Sequence, residues 1–187
     1  YLHTMRELAD NLFQSGIYTL VDGHQDDWNR KYCGEGAPDW TVDLPASVHA
    51  FPVPLAAPYP TSSEGYPFIK QCLSEPFWDY NYAESVSYTW GSLYANRGGL
   101  QEEMMEYWRI LAETFVGMPG LLGYDLLNEP WSGDIYANPD LLTDPLLGDV
   151  INLQPLYANL TRAIRSVDPE GVIMYEPMGT DYANPMA

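Results

Sequence analysis

Apolar and polar residues follow two different periods along this chain, and the two periods take turns. Leu2, Met5, Leu8, Leu12 and Phe13 recur at helical spacing, which predicts an amphipathic helix over residues 2–14 that Ser15-Gly16 ends. The β-branched and aromatic run Ile17-Tyr18-Thr19-Leu20-Val21 then reads as a short buried strand. The same order returns with Met104, Met105, Trp108, Leu111, Ala112 and Phe115 on a helical period from Leu100 to Val116. Gly117 and Pro119 stop that helix, and Leu121 to Leu127 supply the strand. In the third unit Leu156, Leu160, Ile164 and Val167 mark a helix closed by Asp168-Pro169, and Val172-Ile173-Met174-Tyr175 forms the strand.

Each strand runs into polar residues: Asp22-Gly23-His24-Gln25, Asn128-Glu129-Pro130 and Glu176-Pro177. Helix, turn, apolar strand and polar end is the unit of a parallel α/β fold. Polar ends gathered on one face predict a barrel with its active site there. A doubly wound open sheet is the alternative, but no glycine-rich phosphate loop joins strand to helix. Residues 29–99 lack clear periodicity and far exceed an ordinary strand-to-helix connection. Prolines 45, 52, 54, 58, 60 and 67 stiffen the first half of this segment, and aromatic residues crowd the second. An insertion placed after a strand end predicts a wall of the substrate cleft.

Composition narrows the partners. With 187 residues, 46% of them hydrophobic, the chain can bury a sizeable core. Eight Lys and Arg against 26 Asp and Glu give a net charge of -18, which argues against nucleic acid or an anionic membrane surface. Fifteen Tyr and six Trp suit a partner that is both apolar and hydroxylated. The chain opens on Tyr1 within a helical pattern, so it is expected to start inside a larger protein. No run of about 18 apolar residues predicts a membrane span. Cys33 and Cys72 show no metal-ligand spacing; they either pair or are both free. Asn159-Leu160-Thr161 matches the N-glycosylation acceptor pattern, which agrees with a secreted or lysosomal, endomembrane route.

The candidate chemistry centres on Tyr124-Asp125-Leu126-Leu127-Asn128-Glu129-Pro130-Trp131. A general acid for a glycosidic oxygen needs a partly apolar pocket that keeps its carboxyl protonated. Glu129 has apolar neighbours on both sides in sequence, and Asn128 can bond a sugar hydroxyl beside the scissile bond. Asp22 and His24 alternate around Gly23, so at strand periodicity both point to one side. They are candidates for holding sugar hydroxyls or steadying the acid. A metal would need a third ligand, and the other histidines, His3 and His49, lie in a helix and a loop; no metal and no cofactor are expected.

Asp22-Gly23-His24-Gln25-Asp26 and the longer Arg30-Lys31-Tyr32-Cys33-Gly34-Glu35-Gly36-Ala37-Pro38-Asp39-Trp40 resemble the endoglycoceramidases and related glycosylceramidases of glycoside hydrolase family 5. Leu127-Asn128-Glu129-Pro130-Trp131 and Tyr175-Glu176-Pro177 follow in the family's order. The resemblance implies a fragment of a (β/α)8 TIM barrel, about strands 3 to 5, with a long insertion between strand 3 and its helix. Residues 1–187 would then be part of a catalytic domain, incomplete at both ends, with 29–99 as an active-site loop region. It also implies a retaining glycosidase that cleaves the link between sugar and ceramide in glycosphingolipids. Glu129 takes the acid/base role, Asn128 contacts the hydroxyl next to the reacting carbon, and Asp22 and His24 contact the sugar. Trp90 resembles the family's aromatic sugar platform.

Retaining hydrolysis needs a second carboxylate about 5 Å away. Glu176 ends the next strand, but in this resemblance the two carboxylates come from the fourth and seventh strands. Glu176 is therefore read as lining or bracing the site, and the nucleophile is expected to be absent from this chain, with no further strand before Ala187. Such a fragment is expected to be inactive alone and, with unpaired sheet edges, prone to associate. Two other readings share these residues. One is a β-glucanase or β-glucosidase of the same family; the other is a non-catalytic glycolipid-binding relative.

Overall fold

Three parallel strands and their connecting helices follow the order the periodicity predicts. The computed structural model describes residues 1–144 and 146–178. Helix α1 (Leu2–Gln14) leads into β1 (Thr19–Asp22). After a long excursion carrying α2 (Ile69–Cys72) and α3 (Glu84–Tyr94), helix α4 (Leu100–Phe115) precedes β2 (Leu121–Asp125). Helix α5 (Gln154–Arg165) then precedes β3 (Ile173–Met174). The sheet order is β1-β2-β3, with both pairs parallel. Among the described residues no helix is long and apolar enough to cross a membrane.

The helices bury the stripes that the sequence assigns to them. Trp108, Leu111, Ala112 and Phe115 of α4 are buried, as are Leu156, Leu160 and Ile164 of α5, and α4 packs on α5. Asp168 pins the turn into β3. Its Oδ2 accepts from the Tyr124 hydroxyl at 2.9 Å and its Oδ1 from the Gly171 N–H at 2.8 Å. Gly123 sits where β2 and β3 press together, with φ 155° and room for no side chain: an added Cβ would stand 2.4 Å from the Val172 carbonyl oxygen.

The strands are shorter and more open than the apolar runs predict. β1 begins at Thr19 because the Ile17 N–H turns back to the Leu12 carbonyl (3.0 Å), finishing α1 instead of starting the sheet. Leu20, Leu122 and Met174 are exposed, so the described sheet is not buried on both faces. The expectation that no strand follows before Ala187 falls on residues 179–187, outside the described residues.

Residues 29–99 are not a plain loop. Phe51 packs against Tyr32, Tyr59 and Tyr80 with ring centroids 5.5, 5.6 and 5.0 Å away, which gives the insertion an aromatic core of its own. Helix α3 escapes the periodicity test because it is buried nearly all round: Ser85, Val86, Ser87, Thr89, Trp90, Ser92 and Leu93 are all inside. Three of its small hydroxyls donate to backbone carbonyls, Ser87 to Gly133, Thr89 to Ser85 and Ser92 to Tyr88. Cys33 and Cys72 are joined by a disulfide that ties the start of the insertion to α2. The acceptor triplet at Asn159 lies within α5, where the Asn159 Nδ2 donates to Gln101 Oε1 on α4 (2.8 Å).

Asp27 is the most strained polar residue of the insertion's entry. It has φ 44°, is 3% exposed, and neither carboxylate oxygen has a partner among the described residues. Burial first, and the charge of Asp26 second, push its pKa up from 3.8 to about 8.

Two outcomes follow for the full-length protein. Replacing both Cys33 and Cys72 by Ser opens a 39-residue cross-link and should cost about 3 to 4 kcal/mol of stability in denaturant titration. Limited proteolysis should then cut first within residues 42–77. The native state holds a proton on Asp27 that the unfolded chain releases, so stability should fall as pH rises from 3.8 towards about 8. Asp27→Asn should remove that fall. Melting curves at pH 5 and pH 8 check it, with the variant gaining on wild type at the higher pH.

Candidate active site

The C-terminal ends of β1, β2 and β3 bring together the residues singled out in sequence. Asp22 pairs with Asp125 in the parallel register. The ladder continues past both strands, with the Gly23 N–H donating to the Asp125 carbonyl (2.9 Å) and the Asn128 N–H to the Gly23 carbonyl (3.3 Å). That continuation sets Asn128 and Glu129 level with His24 and Gln25. Asp22 Oδ2 lies 2.8 Å from His24 Nδ1, so the Asp-His pair does share one side of the strand end.

The site is acidic and its histidine responds. The Asp22 hydrogen bond is the main cause that raises the His24 pKa above 6.5; partial burial opposes it, and the charges of Asp22 and Asp26 add to it. The pKa of Asp125 is raised by burial first and then by the charges of Glu176 and Asp22. Sequence spacing alone did not bring Asp26 and Glu35 into this group. They are joined by reciprocal backbone bonds (3.1 and 2.8 Å), which set the ligand atoms of His24, Asp26 and Glu35 within 4.8 Å of one another. This three-residue group takes Asp26 and Glu35 with His24 and leaves out Asp22, so it is not the Asp22–His24 pair with a third member added.

Asn128 and Glu129 are held chiefly through their backbones. Asn128 Nδ2 donates to the Gln25 carbonyl (3.0 Å), and Gln25 Nε2 donates to the Asn128 carbonyl (2.8 Å). Glu129 adopts a left-handed φ of 38°, and its N–H donates to Glu176 Oε2 at 2.9 Å. Glu176 therefore braces the neighbouring strand end, as the sequence reading had it. The apolar pocket expected around Glu129 is not built by the described residues. Leu126, Leu127, Pro130 and Trp131 turn into the core beneath it and leave Glu129 exposed.

Trp90 does not occupy the position the resemblance gave it. It is fully buried in α3, with its ring against Trp28 (centroids 4.9 Å apart) and Tyr94, and offers no face to a sugar. The exposed indole near the site is Trp40, 58% accessible, at the end of the same motif that carries the resemblance. Trp40 lines a cavity of about 460 Å³ beside His24, together with Gly23, Trp28, Met104 and Tyr107. Its walls are largely apolar and come mainly from residues 23–41 and α4 rather than from the Pro45–Tyr94 stretch.

Comparison with known proteins places this arrangement. The chain is 37% identical over 183 residues to the endoglycoceramidase of Hydra vulgaris, covering 97% of this chain and 35% of that protein. It is equally identical over 183 residues to the endoglycoceramidase of Cyanea nozakii, covering 97% and 36%. It thus spans about a third of the length of the curated relatives it matches. Endo-glycoceramidase II from Rhodococcus sp. in its ganglioside GM3 complex superposes with a TM-score of 0.69 at 20% identity, over 95% of this chain and 36% of that one. That likeness concerns the fold, and the three parallel strands belong to a (β/α)8 barrel. The family model for Cellulase (glycosyl hydrolase family 5) matches residues 1–184. The chain belongs to glycosyl hydrolase family 5.

Proposed function

We propose that this chain is part of the catalytic domain of a retaining glycosidase that cleaves the β-glycosidic bond between glycan and ceramide in glycosphingolipids. The observation that carries the reading is Glu129 just beyond the C-terminal end of β2, level with His24 and Gln25, in a chain with endoglycoceramidase relatives. Glu129 is the acid/base. It donates its proton to the leaving oxygen, then takes one from the water that releases the sugar. Asn128 bonds the hydroxyl next to the reacting carbon, and Asp22 and His24 hold further hydroxyls. Because Glu129 is exposed here, a bound aglycone would cover it and supply the apolar surroundings a general acid needs.

The second carboxylate is not proposed to be Glu176, whose Oε2 already accepts the Glu129 N–H. By the family order, the nucleophile is inferred to come from a later strand of the barrel than β3. The start of the insertion, residues 36–41, forms one wall of the Trp40 cavity beside the site. A compact apolar cavity favours a lipid aglycone over an extended glucan, which calls for a line of exposed rings. The mechanism requires no metal or cofactor. The Cys33–Cys72 disulfide supports a secreted, lysosomal or endomembrane location.

In the full-length protein, Glu129→Gln should lower kcat/KM on a glycosphingolipid by about 100-fold to 10,000-fold. Glycosyl fluorides, whose leaving group needs no proton, should lose far less in the first step. Equal loss on both substrates would remove Glu129 from the acid/base role. Expressed alone, the 187 residues should release no glycan from a fluorescent glycosphingolipid. Measured turnover by this piece would place the nucleophile within it.

A further inference from the structure

Gln25 is 6% exposed, and both ends of its side-chain amide and its backbone carbonyl are engaged around the site. Its side-chain Oε1 accepts from the Trp28 N–H at 2.9 Å. Its Nε2 donates to the Asn128 carbonyl at 2.8 Å and lies 3.5 Å from the Glu129 carbonyl. Its own carbonyl accepts from Asn128 Nδ2 at 3.0 Å. The two residues therefore grip each other reciprocally across the β1 and β2 strand ends. Gln25 is also clasped from outside, because Gly36 approaches so closely that an added Cβ would stand 2.7 Å from the Gln25 Cα.

The strain lies one residue further on. Glu129 has φ 38°, in a region that non-glycine residues occupy only when their surroundings hold them there. Its N–H is fixed by Glu176 Oε2, and the peptide before it is fixed by Gln25. We propose that Gln25 is a positioning residue for the Glu129 carboxyl: by holding the Asn128–Glu129 backbone in its left-handed turn, it aims the acid at the glycosidic oxygen. The inference rests on the acid/base reading of Glu129 and adds to it the group that sets its direction. Gln25 itself touches no substrate in this account.

A misaimed acid has a signature that a loosened fold lacks. Substrates with poor leaving groups need the proton, whereas glycosyl fluorides do not. Gln25→Glu keeps the length and the acceptor for Trp28 but removes the donor to Asn128. Gln25→Met removes both bonds without adding charge, and serves if the first variant does not fold. In the full-length protein either variant should lower kcat/KM on a glycosphingolipid by about 100-fold. It should change glycosyl fluoride consumption several times less than that. Equal losses on both substrates, or no loss, in a folded variant overturn the proposal. Glu129→Gln measured beside them separates the two ideas. If Glu129→Gln shows the leaving-group split and the Gln25 variants do not, the positioning role fails and the acid/base reading stands. If Glu129→Gln shows no split, the underlying reading fails.

Discussion

The parallel pairing of β1 with β2 does not stop where the strands do. Gly23 donates to Asp125, Asn128 donates to Gly23, and Gln25 and Asn128 then bond each other through both side chain and backbone. That ladder spans two segments about a hundred residues apart in sequence and fixes their relative height to within a hydrogen bond. Asp22, His24, Asn128 and Glu129 all emerge from it or directly beside it. A slip of one residue would turn Asp22 and Asp125 to the opposite face and carry Glu129 away from His24.

The alternation of periods was enough to find the three helix–strand units, because α4 and α5 each bury a single stripe and leave the rest wet. The same test failed for α3, which is enclosed on nearly every side and presents serine and threonine where an amphipathic helix would show apolar residues. A helix that buries small hydroxyl residues on nearly every side carries no hydrophobic period to detect. The resemblance gave Trp90 the place of a sugar platform, whereas in this enclosed helix its indole is core. The strand-end residues were legible because parallel strands deliver alternating side chains to one face. The partnership of Asp26 with Glu35, and that of Gln25 with Asn128, depends on how the chain folds back beyond the strand, which no spacing rule encodes.

Asp22, Asp125 and Glu176 place three carboxylates around the strand ends in a chain that already carries a net charge of -18. Such a cluster is electrostatically unfavourable, and the fold relieves it piecemeal. His24 lies against Asp22 and Asp26, one oxygen of Glu176 accepts a backbone N–H, and Asp125 responds by holding its proton more tightly. Neutral hydroxylated ligands suit this environment, since carboxylates accept hydrogen bonds from hydroxyl groups without requiring a counter-charge. An anionic ligand would meet repulsion from all three.

The left-handed turn at Glu129 connects these points. β2 ends at Asp125, and four residues on the φ of 38° at Glu129 turns the chain away from the strand direction and leaves the carboxyl exposed above a core of Leu126, Leu127 and Trp131. Backbone strain of this kind costs of order 1–3 kcal/mol and persists only where neighbours over-determine it. Here the neighbours belong to the other two strands, Gln25 beyond β1 and Glu176 beyond β3. The conformation of one residue on the middle strand therefore depends on both flanking strands being in register, so sheet assembly and the aim of the carboxyl are a single event.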